Sequence, residues 1–89
     1  MIKKVIKFSA DWCIPCKVYE KTFHDVSKNK EFEGVLFETF DVEDNEDLAS
    51  EYMIRSVPTT VVLDENDKVL LKISGNLSKK ALEDALHSI

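Results

Sequence analysis

The apolar residues of the chain form short runs and one helical repeat, and each pattern predicts a kind of element. Runs rich in β-branched and other apolar residues are typical of strands, and four such runs lie at residues 2–8, 34–42, 59–64 and 68–74. The sequence Glu-Asn-Asp-Lys between the last two runs is typical of a turn. These two strands are therefore expected to form an antiparallel hairpin.

Three further segments have the features of helices. After Pro15, apolar side chains repeat at the spacing of one helical face, at Cys16, Tyr19, Phe23 and Val26. Proline is tolerated in the first turn of a helix, so Pro15 predicts where this helix begins. Asn45 can cap a short second helix, and Ser78 can cap a third helix that runs to about residue 88.

The order of these elements, β-α-β-α-β-β-α, predicts an α/β fold. The first strand–helix–strand unit implies two parallel strands joined by a right-handed crossover, and the later hairpin adds antiparallel strands. The expected sheet is therefore four-stranded and mixed. A chain of 89 residues has room for one core, so we expect a single domain over residues 1–89.

Composition and charge exclude several classes of function. The chain is 44% hydrophobic and 33% charged, as in a globular protein, and its net charge of −5 argues against a nucleic-acid surface. No apolar run exceeds five residues, so neither a membrane span nor a signal peptide is expected. We therefore expect a cytoplasmic protein, in a reducing compartment where a structural disulfide would not persist. No additional apolar stripe is evident, so a monomer is expected.

The candidate chemistry lies in residues 10–17, Ala-Asp-Trp-Cys-Ile-Pro-Cys-Lys, which hold both cysteines of the chain. A structural zinc site needs four ligands, and only His24 and His87, which are far apart, could complete one. A disulfide between Cys13 and Cys16 would close a very small loop and stabilise the fold little. A Cys-x-x-Cys pair near a β-α-β unit instead indicates redox chemistry.

The predicted elements place this pair between the end of a strand and the start of a helix. The unpaired N–H groups and the helix dipole favour a thiolate at such a position. We expect Cys13, in the loop, to be the exposed nucleophile and Cys16, on the apolar helix face, to be buried. The Cys13 thiolate would attack a substrate disulfide, and Cys16 would then attack Cys13 to release the reduced substrate.

Residues 8–17 also resemble the active site of the thioredoxin family, whose usual form is W-C-G-P-C-K. Residues 40–52 and 52–63 resemble the family segment that leads into and contains a cis-proline, and residues 74–86 resemble its glycine turn and last helix. The resemblance covers nearly the whole chain. It implies a thioredoxin fold and reduction of protein disulfides, with electrons from a thioredoxin reductase or the glutathione system. It implies no cofactor beyond the redox-active Cys13–Cys16 disulfide.

The resemblance also assigns roles to individual residues. Cys13 matches the family's nucleophilic cysteine, Cys16 the resolving one, and Pro58 the cis-proline that faces them. The Val57 backbone would be free to pair with an extended substrate segment. The implied substrate-docking surface consists of Trp12, Ile14, Pro15, Val57, Pro58, Ser74 and Gly75.

The chain departs from the family pattern in four places. It begins at the family's second strand, so a minimal fold without the N-terminal strand and helix is expected. Ile14 replaces the usual glycine between the cysteines and stiffens the turn. Lys7 stands where the family has a buried aspartate, and Thr39 stands where many members carry a lysine that pairs with it.

Lys7 has three possible roles. A buried ammonium near the cysteines would lower the thiol pKa and make the disulfide a stronger oxidant, whereas a neutral Lys7 could act as a base. Lys7 could also reach past the strand to water. Our hypothesis is that Lys7 modulates the site and shifts its redox potential from that of a typical thioredoxin.

Two alternative functions remain open. A glutathione-dependent, glutaredoxin-like enzyme fits the short length, although the Ile14-Pro15 dipeptide differs from the Pro-Tyr common in that family. Residues 74–78 also lack the pattern with which glutaredoxins hold glutathione. The other alternative hypothesis is a binding module without catalytic activity, with the apolar rim around Trp12 and Pro58 as its interface.

Overall fold

Four strands and three helices follow one another in the predicted order. A computed structural model describes all of residues 1–89. The strands are β1 (Ile2–Ser9), β2 (Leu36–Asp41), β3 (Thr59–Asp64) and β4 (Val69–Ser74), and the helices are α1 (Ile14–Ser27), α2 (Glu46–Glu51) and α3 (Lys79–His87). None of the helices is long and apolar enough to cross a membrane.

The strands form one mixed sheet in the order β2-β1-β3-β4. β1 is parallel to β2 and antiparallel to β3, so that Lys7 has Thr39 on one side and Thr60 on the other. β3 and β4 form the predicted antiparallel hairpin. The mixed four-stranded sheet predicted from the sequence is confirmed, and it leaves β2 as an outer strand.

Each face of the sheet packs against its own helices, because side chains alternate between the two faces of a strand. On one face, Val5 packs with residues of α1 and α3, among them Tyr19 and Leu82. On the other face, Ile6 and Phe8 pack with the region of α2. The helical period predicted for α1 is confirmed, since Cys16, Tyr19, Phe23 and Val26 are all buried.

A short 3₁₀ helix, Lys30–Phe32, was not predicted. The Asn29 side chain caps it by accepting a hydrogen bond from the Glu31 backbone N–H at 2.9 Å, and Phe32 is buried. Three residues are too few to show a helical period, so the apolar pattern could not reveal this element.

The prediction that the Asn45 side chain caps α2 is wrong. Asn45 occupies the N-cap position, but its side chain accepts no capping hydrogen bond. The Asn45 amide instead donates to the Asp41 carbonyl oxygen at 3.0 Å and so ties α2 to the end of β2. Ser78 behaves as predicted, because its hydroxyl accepts a hydrogen bond from the Ala81 N–H at 3.1 Å.

Candidate active site

The cysteine pair lies just beyond the end of β1, at the N-terminus of α1. Cys13 is the N-cap residue of α1 and has an extended backbone, and Pro15 lies in the first turn. The Cys13 Sγ atom accepts a hydrogen bond from the backbone N–H of Cys16 at 3.2 Å. A sulfur therefore occupies the capping position that a serine or aspartate oxygen usually fills.

This position favours negative charge on Cys13. The first N–H groups of a helix lack carbonyl partners, and the helix dipole places partial positive charge at the same end. One of these groups, the Cys16 N–H, already points at Cys13 Sγ. Both effects stabilise a thiolate more than a thiol at this position.

Cys13 and Cys16 are joined as a disulfide, with their Cα atoms 5.3 Å apart. The expectation that Cys13 would be exposed is wrong for this oxidised state, because Cys13 is only 4% exposed and Cys16 only 3%. The pair packs with Ala10 and Val57, and Cys13 Sγ lies 3.7 Å from the Val57 carbonyl oxygen. Bonding to Cys16 and the cover from Val57 remove the sulfur from solvent.

The exposed part of the site is apolar and flanks the disulfide. Trp12 is 66% exposed and Ile14 is 72% exposed, which is unusual for large apolar side chains. Val57, from the loop before β3, is partly buried against the cysteines. The sequence predicted these residues at the site, and the structure brings them together around the disulfide.

The loop before β3 faces the cysteines and contains the predicted cis bond, Val57–Pro58. The Pro58 carbonyl oxygen accepts a hydrogen bond from the Gly75 N–H at 2.8 Å, which joins this loop to the end of β4. The backbone N–H and carbonyl of Val57, in contrast, pair with no other backbone group. The backbone N–H and carbonyl groups of Val57 thus remain without a backbone partner beside the disulfide.

The backbone conformation at position 75 favours glycine over other residues. Its φ is +99°, a region that residues with a side chain rarely adopt. A Cβ atom added there would meet nothing within 4 Å, so the space above Gly75 is open. Ser74 beside it is exposed. The predicted docking residues at the end of β4 therefore border open space.

Lys7 is buried behind the site, with only 3% of its surface exposed. Its Nζ atom lies 5.2 Å from the centre of the Phe23 ring. Burial lowers the pKa of Lys7, and the charge of Glu20 opposes that shift. Lys7 and Cys16 line the same cleft, so the side chain of Lys7 is buried near the cysteines while its amine borders that cleft.

One buried polar contact beside the site was not predicted from the sequence. The Tyr19 hydroxyl lies 2.7 Å from the Thr60 hydroxyl, and both side chains are buried. Tyr19 was predicted only as a core residue of α1. No sequence signal connects it to Thr60, because the pairing depends on how α1 lies across the sheet.

The histidines lie apart from the cysteines. His87 pairs with Glu31 at 2.9 Å, at the far end of α3 from its N-cap. His24 is exposed on α1. No group of three or more His, Cys, Asp or Glu side chains is arranged to hold a metal ion.

The family profile described as thioredoxin matches residues 2–88, nearly the whole chain. The protein belongs to the thioredoxin family. It is 36% identical over 84 residues to a thioredoxin of Mycoplasmoides gallisepticum, a match that covers 94% of this chain and 81% of that protein. A relative from Arabidopsis thaliana is 34% identical over 79 residues, 85% of this chain, but the chain spans only 50% of that protein.

Solved thioredoxin structures have the same fold. The X-ray structure of Fasciola hepatica thioredoxin superposes with a TM-score of 0.84 at 28% identity, covering 96% of this chain and 78% of that one. A thioredoxin-family chain whose two cysteines form a disulfide at the start of a helix is a thiol–disulfide oxidoreductase. The class of enzyme predicted from the sequence is confirmed.

Proposed function

We propose that this thioredoxin-family protein reduces disulfides in other proteins, with Cys13 as the nucleophile and Cys16 as the resolving residue. The Cys13 thiolate attacks one sulfur of the substrate disulfide and forms a mixed disulfide, and the other substrate sulfur leaves as a thiolate. Cys16 then loses its proton and attacks Cys13 Sγ. This step forms the Cys13–Cys16 disulfide and releases the second substrate thiolate.

A single observation carries this assignment: the hydrogen bond from the Cys16 N–H to Cys13 Sγ at the start of α1. It favours the thiolate on Cys13 over the thiolate on Cys16, since Cys13 alone receives a helix N–H bond. The more stable thiolate makes Cys13 the sulfur that attacks first, and in the second step Cys13 Sγ is the atom that Cys16 attacks while the substrate thiolate leaves.

The substrate is proposed to dock on the surface around the disulfide that consists of Trp12, Ile14, Pro15, Val57, Ser74 and Gly75. The Pro58 side chain, predicted as part of this surface, is fully buried, and its proposed role is to position the Val57 backbone. The exposure of Trp12 and Ile14 supports docking on this surface. The unpaired backbone of Val57 supports pairing with an extended substrate segment, as in strand addition. An extended polypeptide thus fits the surface better than a small thiol does.

The enzyme is regenerated by two electrons from an external donor, for which we propose a thioredoxin reductase, with the glutathione system as the alternative. The cysteine pair itself accepts these electrons, so the proposed cycle needs no other cofactor. We place the protein in the cytoplasm, where such donors are reduced, and propose that it acts as a monomer. Lys7 is proposed to modulate the redox couple from behind Cys16.

The proposal predicts catalysis of disulfide reduction that depends on Cys13. The measurement is the rate at which a disulfide-linked polypeptide is reduced by dithiothreitol, with and without the protein. We expect the native chain to accelerate the reaction and Cys13→Ser to reduce the rate to that of dithiothreitol alone. Val69→Ala, which shortens an exposed side chain at the start of β4, is the control and should retain the native rate.

If the native chain does not accelerate reduction of the polypeptide disulfide, the proposal is contradicted and the binding-module hypothesis is favoured. Acceleration with glutathione but not with thioredoxin reductase as the donor would assign the protein to the glutathione system.

A further inference from the structure

A cleft of about 500 Å³ lies between α1 and the outer strand β2, on the side of Lys7 away from the disulfide. Neither cysteine lines it. Its ionisable side chains are Lys7, Lys17, Glu20, Lys21 and His24. Three lysines and one glutamate give this lining a formal charge of +2 with the histidine neutral, whereas the whole chain carries −5. Positive charge is therefore concentrated here.

Lys7 contributes an amine that lines the cleft and has no hydrogen-bond partner within the chain. Lys7 is 97% buried, and its ammonium makes neither a hydrogen bond nor an ion pair within the chain, although it lines the cleft together with Phe23. The Lys7 Nζ atom lies 5.2 Å from the centre of the Phe23 ring, and the charge of Glu20 favours its protonated form without forming an ion pair within 4 Å. An anion that entered the cleft would give this ammonium a direct hydrogen-bonding partner.

The side of the cleft formed by α1 also carries positively charged side chains without ion-pair partners. Lys17, Lys21 and His24 lie at i, i+4 and i+7 of α1 and so share one face. Like charges at i and i+4 destabilise a helix, and neither lysine has an ion-pair partner within 4 Å. The hydroxyl of Thr39, which also lines the cleft, adds a neutral donor from β2.

We propose that this cleft binds a dianionic phosphate group, with Lys7 as its innermost contact and with Lys17 and Lys21 at its mouth. Ammonium groups bind phosphate as charged hydrogen-bond donors, and three of them line this cleft. The cleft is larger than a phosphate ion, so it has room for the small organic part of a phosphomonoester. The binding of phosphate favours the protonated form of Lys7.

The test is a titration of the oxidised, ¹⁵N-labelled protein with inorganic phosphate, at constant ionic strength maintained with chloride. We expect saturable shifts of amide resonances in residues 17–24 of α1 and 37–39 of β2. Lys7→Met keeps the length of the side chain without its charge and should weaken binding about tenfold. Lys79→Met, which removes an exposed lysine outside the cleft, is the matched control and should bind like the native chain.

A second variant keeps the test decisive if Lys7→Met alters the fold. Lys17 is exposed, so Lys17→Met leaves the core intact and should still weaken binding severalfold. Shifts that rise linearly without saturation, or that are the same in Lys7→Met and Lys17→Met as in the native chain, would overturn the proposal. The assay involves no turnover, so its outcome is independent of the disulfide-exchange activity proposed above.

The source of the phosphate group is decided by a parallel titration with glycerol phosphate. Tighter binding than that of inorganic phosphate would assign the site to a phosphomonoester. Equal or weaker binding would assign it to free phosphate.

Discussion

Lys7 is the residue for which we propose a modulating effect on the redox couple. It lies in the middle of β1 with Thr39 and Thr60 as its neighbours across the sheet, and it shares a cleft with Cys16. An ammonium in this place stabilises a thiolate and therefore the reduced form of the cysteine pair. A redox couple whose reduced form is stabilised has a higher midpoint potential.

We therefore predict that Lys7→Met lowers the midpoint potential of the Cys13–Cys16 couple by about 30 mV, a change of about 1.4 kcal/mol. The midpoint is measured by equilibration in defined thiol buffers, with the fluorescence of Trp12, the only tryptophan, as the reporter. Lys3→Met removes an exposed lysine from the start of the same strand and should leave the midpoint unchanged. An unchanged or higher midpoint in Lys7→Met would contradict the modulating role.

At this scale the sequence identified Lys7 as unusual but could not predict its surroundings. The resemblance to the family placed Lys7 and Thr39 at the positions of a charged pair, and the register of β1 with β2 confirms that they are neighbours. Whether Lys7 would be buried depended on how Phe23 and the rest of α1 cover it. The burial of Lys7 by α1 depends on tertiary packing, so the residues next to Lys7 in the sequence could not predict it.

At the scale of elements, α1 is held to the sheet by apolar packing and by one buried polar contact. Tyr19 packs with Val5 and Val62 in the core, and its hydroxyl meets that of Thr60 on β3 at 2.7 Å. Burial raises the pKa of Tyr19, so the hydroxyl remains protonated and available for this bond. The contact fixes α1 against the sheet one turn after Cys16.

We predict that Tyr19→Phe lowers the free energy of unfolding by about 1–2 kcal/mol, because it leaves the buried Thr60 hydroxyl without a partner. Tyr52→Phe serves as the control, since the Tyr52 hydroxyl makes no hydrogen bond in the structure and that substitution should cost less. Urea unfolding of the oxidised protein measures both values. Equal stability of Tyr19→Phe and the native chain would show that the contact contributes nothing.

The apolar runs, the helical period of α1 and the capping residues Asn45 and Ser78 together predicted every strand and all three main helices, with differences of one or two residues at the predicted ends. They failed where structure depends on fewer residues or on side-chain direction. The 3₁₀ helix at Lys30–Phe32 is too short to show a period, and the Asn45 amide turned toward Asp41 in place of capping α2. Local patterns specify elements better than they specify the hydrogen bonds at element ends.

At the scale of the whole molecule, three separate segments form the face that surrounds the disulfide. The start of α1 supplies Trp12 and Ile14, the loop before β3 supplies Val57, and the end of β4 supplies Gly75. The sequence motifs predicted this assembly because each one matched the family. The proposed phosphate-binding cleft, in contrast, lies between α1 and β2, and no sequence motif predicted it.

If this face docks protein substrates, Trp12→Ala should lower kcat/KM for a disulfide-linked polypeptide about tenfold, since a large exposed apolar anchor is lost. The rate with a small-molecule disulfide should change much less, because such a substrate does not reach the rim. Val69→Ala, an apolar truncation at the opposite end of β4, is the control. Equal losses for the two substrates would mean that Trp12 acts on the cysteines themselves and not on docking.

The central claim is that Cys13 attacks the substrate and Cys16 resolves the intermediate. It is tested most directly by incubating Cys16→Ser and Cys13→Ser, each reduced, with a disulfide-linked peptide and weighing the products by mass spectrometry. We predict that Cys16→Ser accumulates a stable mixed disulfide on Cys13, whereas Cys13→Ser forms little adduct because Cys16 lacks the helix N–H bond that stabilises a thiolate on Cys13. Faster adduct formation on Cys16, or none on Cys13, would contradict the account.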